Sequence, residues 1–365
     1  MRAALLTEVG KPLEIVDDVD IRPPRVGEVL VRVHNCGICH SDISIADGMG
    51  AITPVILGHE AAGVVEAVGD GVTTHAVGDK VVLTPAPPCG QCYFCQRGEF
   101  SVCVNSMGIM TNSFPDGTTG LSRNGEVVYR GLNVAGFAEY AVTQASGAIR
   151  IPDDVPVEVA CVIGCAVQTG VGAVLNTAQV EEGATVLVLG LGGIGLSTVQ
   201  GASLANAAKI IVSDPVLARR EMAKALGATH VLDPTTDDVM TAARDLTDGI
   251  GVDYAFETAG VADLVTQGFL AARNGGTVVC VGAPPIDQAI TIAPASLFTF
   301  TAKKLMGTLL GGCNSVRDVP RLIGLWRNGR LDLETMITTR RPLEEINEGF
   351  EDVRASRGVR TVLEI

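Results

Sequence analysis

The sequence predicts an α/β protein in two parts, a doubly wound parallel sheet preceded by an irregular, mainly β domain, and three observations lead there. At 365 residues the chain is long for a single hydrophobic core. Its character changes near Pro156, from short strands among turn residues to strands that alternate with helical stretches. Beyond that change, a glycine-rich run separates an apolar strand from a helix.

Taken in order, residues 28–33 and 63–68 carry β-branched and apolar side chains between Gly, Pro and Asp, the pattern of short strands. The first 150 residues hold such strands, many prolines and few helical patterns. Beyond Pro156 the expected elements are strand 185–189, helix 194–205, strand 209–213, helix 217–226, strand 252–256 and strand 277–281. This rhythm is that of a parallel sheet whose ligands bind at the carboxyl ends of its strands. After about Leu309 it lapses into helical stretches at 316–326 and 342–355 and a last strand at 359–364.

Composition removes several functions. The 27 basic residues face 41 acidic ones, a net charge of −14 that repels phosphate backbones and anionic lipid, so neither nucleic acid nor a membrane is an expected partner. Apolar runs are short and broken by Gly or charge, and none approaches the roughly 20 residues needed to span a bilayer. Thr7, Glu8 and Lys11 interrupt the apolar opening before it reaches signal-peptide length, so a cytoplasmic location is expected. Ten cysteines in a reducing compartment then need a role other than a disulfide framework.

The run Gly190-Leu191-Gly192-Gly193-Ile194-Gly195 follows one apolar strand and opens a helix. In that setting Gly190 permits a tight turn, Gly192 lets the backbone approach a pyrophosphate, and Gly195 allows close packing of helix on strand. A second apolar strand ends in Asp214, near the expected distance for a carboxylate that accepts hydrogen bonds from adenosine ribose hydroxyls. Its charge opposes a 2′-phosphate and favours NAD over NADP. The plain alternative is a glycine turn with a capping Asp.

Cys89, Cys92, Cys95 and Cys103 offer four thiolates within one Gly- and Pro-flanked loop, enough for a closed, tetrahedral structural zinc site. An iron centre uses the same ligands, and a redox Cys-x-x-Cys pair is another option. A second set, Cys39, His59 and Cys165, lies beside glycine turns but is scattered; spacing alone does not join it, and a lone His is often a satisfied polar residue.

At these residues the chain resembles the zinc-dependent alcohol dehydrogenases of the medium-chain dehydrogenase/reductase superfamily, from its opening strand to Arg360-Thr361-Val362-Leu363. The resemblance implies a GroES-like catalytic domain at 1–166 with a structural zinc lobe at 89–103, an NAD-binding Rossmann domain at 167–307, and a return to the catalytic domain at 308–365, with the cofactor in the cleft between the two. It implies that Cys39, His59 and Cys165 hold a catalytic zinc whose fourth position is open to the alcohol oxygen, giving two zinc ions per chain. Asp42 would orient His59, and Glu60 would lie behind the metal. Ser41 matches the position that takes the substrate proton. Relatives carry a His three residues later to finish the relay; here it is Ser44, and His40, which matches a pyrophosphate contact, is the candidate substitute. Arg219 matches a basic residue near the adenosine ribose, Thr169 and Val281 flank the nicotinamide, and Arg360 matches a pyrophosphate contact. Arg219 as a solvated helix charge and Thr169 as a helix-start residue are the alternatives.

Residues 104–137 resemble the extended loop of the dimeric, longer-chain branch, which includes glutathione-dependent formaldehyde dehydrogenases. A homodimer is expected, with a dimer of dimers left open. That formaldehyde activity uses an Arg four residues after the last lobe cysteine and an acidic residue ten before the Gly-His-Glu histidine; here these are Met107 and Met49. Neither pairs with the charges of glutathione, so the expected reaction is reversible hydride transfer between NAD and an uncharged primary alcohol, bulky or aromatic alcohols included, with a thiol-adduct formaldehyde dehydrogenase as the alternative.

Overall fold

Alternating valines build the longest strand of the first unit. In Glu28–Ile38 the side chains of Val29, Val31 and Val33 are buried while that of Arg32 is exposed, the period-2 pattern of a half-covered sheet. The strand continues through Asn35 and Cys36 to Ile38, well beyond the 28–33 predicted from sequence. The computed structural model describes residues 1–365, and contacts divide them into Met1–Ala166 with Cys313–Ile365, and Val167–Gly312.

Two sheets make the first unit. One runs, in spatial order, Ala148–Arg150, Lys80–Leu83, Glu60–Val68, Glu28–Ile38, Arg360–Glu364 and Ile337–Pro342, with Tyr140–Gln144 also paired to Glu28–Ile38. The other runs Glu14–Val16, Ala3–Leu6, Val55–Ile56, Glu126–Arg130, Leu121–Arg123 and Val19–Ile21. Leu5, Leu6, Ile38, Ile56, Leu57 and Phe137 fill the core of this unit. Thr361 pairs with Ile38 and Glu364 with Asn35, antiparallel, so the end of the chain lies in the sheet of the first 150 residues. Strand Ile337–Pro342 was not expected; its exposed Thr and Arg side chains hide an edge strand from any hydropathy pattern.

The second unit is a six-stranded, all-parallel sheet in the order His230–Leu232, Lys209–Ser213, Thr185–Leu189, Val252–Glu257, Ala272–Cys280 and Lys304–Gly307. Strands numbered along this unit fall in the order 3-2-1-4-5-6, with the reversal between Thr185–Leu189 and Val252–Glu257, where such sheets bind dinucleotides. Val186, Leu187 and Val188 are buried, as strands covered on both faces require. Helices Gly193–Leu204, Leu217–Ala225, Val239–Asp245 and Ala262–Ala271 connect them. Strand Ala272–Cys280 begins earlier than the predicted 277, through Arg273-Asn274-Gly275-Gly276, which lacks β propensity and adjoins a register shift at Val252/Tyr254. Residues 308–312 pack in this unit. Thr308 Oγ1 lies 2.7 Å from Thr177 Oγ1, and Gly311, at φ +65°, leaves no room for a Cβ beneath the Gln168 and Thr169 carbonyls. The chain rejoins the first unit at Cys313, where Ser315 Oγ meets Thr84 Oγ1 at 2.9 Å. No single helix is long and apolar enough to cross a membrane.

Candidate active site

Strand register brings the scattered ligand candidates together. Gly37 pairs with Glu60, so Cys39 and His59 emerge side by side just past the paired residues. A side chain at Gly37 would collide with the Glu60 carboxylate, which explains a glycine here. Cys165 arrives from the turn Cys161–Gly164, where a Cβ on Gly164 would stand 2.7 Å from the Leu83 carbonyl and force the chain off the sheet. One donor atom from each of Cys39, His59, Glu60 and Cys165 falls within 4.8 Å of the others. Two sulfurs, an imidazole and a carboxylate, mostly buried, are a donor set suited to zinc.

Asp42 organises the cluster. Its Oδ1 accepts from Gly58 N–H at 2.9 Å and His59 Nδ1–H at 3.1 Å, and its Oδ2 accepts from Cys39 N–H at 3.0 Å. Because Nδ1 is committed to this buried carboxylate, Nε2 is the nitrogen that faces the cluster. Ser41 Oγ stands 3.2 Å from Nε2. The hydrogen bond from Cys165 holds the Cys39 thiol well below its ordinary range against the effect of burial, with His59 adding to it, while the same pairing and burial push the Cys165 thiol up. Burial pushes the Glu60 carboxyl up to about 7 against the attraction of Arg360. Glu60 Oε1 takes Ala166 N–H at 3.2 Å and Arg360 Nη2 at 3.3 Å, while Oε2 is buried without a partner.

Arg360 is buried beside the metal cluster, where its Nη1 also donates to the Ile38 carbonyl at 2.7 Å. Its Nε has no partner. His40 is exposed at the start of helix His40–Ala46, and Ser44 Oγ, where relatives place a relay His, donates to the His40 carbonyl at 3.1 Å.

The four lobe cysteines also converge, each sulfur within 4.8 Å of the others. Four sulfurs about 2.3 Å from one ion stand roughly 3.8 Å apart at tetrahedral corners, and Cys92 Sγ and Cys103 Sγ are 3.8 Å apart. Amide N–H groups of Cys89 and Asn105 point at the Cys103 sulfur, at 3.3 and 3.5 Å, and that of Cys92 at the Cys89 sulfur, at 3.3 Å. Such donors stabilise thiolate charge.

In the second unit Gly190 and Gly195 of the 190–195 run have distinct structural causes. Gly190 sits at φ +94°, and a Cβ on Gly195 would strike the Gly190 carbonyl. A Cβ on Gly192 would meet nothing, so the fold itself does not demand glycine there and the open space suits a close ligand. Gly193 and Ile194 open helix Gly193–Leu204, and the free N–H groups of a helix N-terminus suit an anion. Asp214 accepts Leu191 N–H on Oδ2 at 2.7 Å and Val216 N–H on Oδ1 at 2.8 Å, and each carboxylate oxygen has a second lone pair. Arg219 is half-buried on helix Leu217–Ala225, while Thr169 and Val281 are buried. Sequence reasoning missed Arg220, which is buried and donates to the Asp214 carbonyl at 2.6 Å and to Asp233 Oδ2 at 2.7 Å, fixing the end of that strand. It also missed Arg130, buried at the end of the 104–137 segment, where it stacks 3.9 Å from the Phe114 ring and donates to Asn133 Oδ1 at 2.6 Å. Asn133 in turn donates to the carbonyls of Pro85 and Asn105, tying the segment to the base of the lobe. A lone Arg in a polar stretch carries no sign of such burial.

Comparison with known proteins agrees with this geometry. Residues 25–153 match the alcohol dehydrogenase GroES-like domain, and residues 193–326 match the zinc-binding dehydrogenase family. An S-(hydroxymethyl)glutathione dehydrogenase of Synechocystis sp. is 38% identical over 372 residues, 99% of each chain. Among solved structures, an alcohol dehydrogenase zinc-binding domain protein from Burkholderia ambifaria superposes with a TM-score of 0.94 at 35% identity, covering 100% of this chain and 98% of that one. Benzyl alcohol dehydrogenase from Acinetobacter calcoaceticus gives 0.93 at 31% identity, covering 100% and 99%. Similarity of this extent through both units makes the chain an NAD-dependent, zinc-binding oxidoreductase that belongs to the zinc-dependent alcohol dehydrogenase family of the medium-chain dehydrogenase/reductase superfamily.

Proposed function

We propose that this enzyme transfers hydride reversibly between an uncharged primary alcohol, bulky and aromatic ones included, and NAD. The observation that carries the reading is the convergence of Cys39, His59 and Cys165 with the Ser41 hydroxyl beside His59 Nε2. In this reading those three residues hold a catalytic zinc, and Cys89, Cys92, Cys95 and Cys103 hold a structural one. When bound, the metal supplies Lewis acidity toward the alcohol oxygen, and the nicotinamide supplies the hydride acceptor. Asp42 keeps His59 in one tautomer and Ser41 accepts the substrate proton, while Gly190–Gly195 and Asp214 hold the dinucleotide, with Arg219, Thr169 and Val281 lining it.

The substrate class in this reading rests on two sequence positions. Met107 and Met49 offer no charge to a tripeptide thiol adduct, whereas thioethers suit an apolar or aromatic ring. The thiol-adduct reading draws on the name of the Synechocystis relative. NADH formation should therefore be measured with aliphatic and aromatic primary alcohols and with formaldehyde, with and without glutathione. Thiol-dependent formaldehyde turnover at a higher kcat/KM than any plain alcohol would overturn the proposed substrate.

Asp214 is expected to set cofactor choice. Two like charges about 4 Å apart near a protein surface repel by about 4 kcal/mol, and less in water, so kcat/KM should favour NAD. Asp214→Ala should narrow the NAD-to-NADP ratio by roughly tenfold or more. An unchanged ratio in steady-state kinetics contradicts the assignment.

A homodimer formed through the second unit is part of the proposal. Helix Ala295–Thr301 has no buried residue, Ile286 and Phe300 are 95% and 84% exposed, and the neighbouring strand Lys304–Gly307 is the edge of its sheet. An apolar segment beside an open edge fits a second copy of the chain. Sedimentation should give a dimer for the wild type and a monomer for the double variant Ile286→Lys and Phe300→Asp.

A further inference from the structure

Glu257 takes no part in the chemistry above, yet it stands where the strand order reverses. It ends strand Val252–Glu257, opposite Leu189 in the register with Thr185–Leu189, and is 1% exposed. Its Oε1 accepts Ala259 N–H at 2.7 Å and Val261 N–H at 3.2 Å, closing the turn that leaves the strand. Its main-chain carbonyl accepts Val281 and Gly282 N–H at 2.8 and 3.0 Å. One residue therefore holds two consecutive loops at the carboxyl edge of the sheet.

The space around these loops is tight. A Cβ on Gly282 would collide with the amide of Gly260 and stand 3.0 Å from Glu257 Oε2. On the other side, Thr258 Oγ1 donates to the Gly190 carbonyl at 2.8 Å, and a Cβ on Gly190 would stand 2.9 Å from that of Ala259. The loop 258–261 is thus wedged between the glycine turn and the loop after Ala272–Cys280. The strand itself is paired through its main chain and does not need the Glu257 carboxyl. Burial raises the pKa of this group against the backbone N–H groups that hold it, and Oε2 is buried without a partner. A carboxyl kept in so dry a place has a cost that sheet pairing alone does not explain.

We propose that Glu257 is a positioning residue for the dinucleotide, holding loop 258–261 against the Gly190 turn so that the site has its binding shape before NAD arrives. The inference rests on the reading of Gly190–Gly195 as the dinucleotide site and is independent of the substrate. A preformed site avoids an ordering cost on binding, so loss of the clamp should be felt in affinity.

The test is calorimetric titration of the zinc-loaded enzyme with NAD, together with its thermal midpoint and steady-state kinetics. In Glu257→Ala, Kd and KM for NAD should rise about tenfold or more, while kcat at saturating NAD stays within about threefold. Glu257→Gln keeps an acceptor for both N–H groups and should bind NAD within about threefold of wild type. An alanine variant with wild-type affinity, or a glutamine variant as weak as alanine, overturns the proposal. If the alanine variant does not fold, Glu257→Asp replaces it, since one methylene less draws the oxygen off both amides; weakening of about fivefold or more supports the clamp, and wild-type affinity overturns it. Failure of wild type to turn over alcohols would defeat the proposed reaction and leave the NAD titration readable.

Discussion

Cys165→Ser is expected to cut turnover by roughly a thousandfold or more, because several kcal/mol of charge stabilisation at the substrate oxygen disappears with the metal. The chain should remain folded. Cys165 sits at the end of a turn already anchored by Ala166 N–H on Glu60, and the sheet beneath it is paired without its sulfur. Metal analysis should give one zinc per chain instead of two, with a thermal midpoint near that of wild type. Cys92→Ser is the contrasting case: it should also remove one zinc, but from a lobe held by four sulfurs and short helical turns, and so lower the thermal midpoint and solubility first. If Cys165→Ser kept both zinc ions and normal turnover, the cluster of Cys39, His59 and Cys165 would not be the catalytic centre.

Ser41→Ala should slow turnover about 100-fold to 10,000-fold, the range for loss of acid–base catalysis, with little change in NAD affinity. The hydroxyl lies beside the cluster-facing nitrogen of His59, and no other hydroxyl is hydrogen-bonded to that nitrogen. Ser41→Thr should restore most of the rate. Since Ser44 is turned back onto the His40 carbonyl, the proposed relay past Ser41 would end at His40 or at water. If through His40, His40→Gln slows turnover and changes its pH profile. Identical profiles for wild type and His40→Gln would leave solvent as the acceptor. A Ser41→Ala enzyme with wild-type turnover would remove Ser41 from the relay.

The parallel sheet was legible because it leaves strong local marks. Strands Thr185–Leu189 and Lys209–Ser213 are continuous apolar runs, and the glycine run between them has few other uses. The lobe cysteines were legible for the same reason, as four ligands within one short loop. The second metal cluster was not readable from spacing, because what joins Cys39 to His59 is the pairing of Gly37 with Glu60, and what brings Cys165 is a glycine packed on the Leu83 carbonyl. Only resemblance to a family united them. Edge strands Lys304–Gly307 and Ile337–Pro342 escaped notice because half-exposed strands need little hydrophobic pattern. Arg130, Arg220 and Glu257 were invisible for a related reason: hydropathy places charged residues outside, and nothing local says which will be buried with partners.

The pairing of Arg360–Glu364 with Glu28–Ile38 also orders events during synthesis. Arg360 reaches the Ile38 carbonyl across 322 positions of chain, so the sheet that carries the metal cluster stays open until the whole dinucleotide unit has left the ribosome. With translation at about 5 to 20 residues per second, the nascent first unit waits tens of seconds with an unpaired strand edge and four reduced lobe thiols. The dinucleotide unit, contiguous from Val167 to Gly312, has no such wait. Early zinc capture by the lobe would steady the waiting unit, so limiting zinc during expression should yield aggregated nascent chains before it yields inactive soluble enzyme.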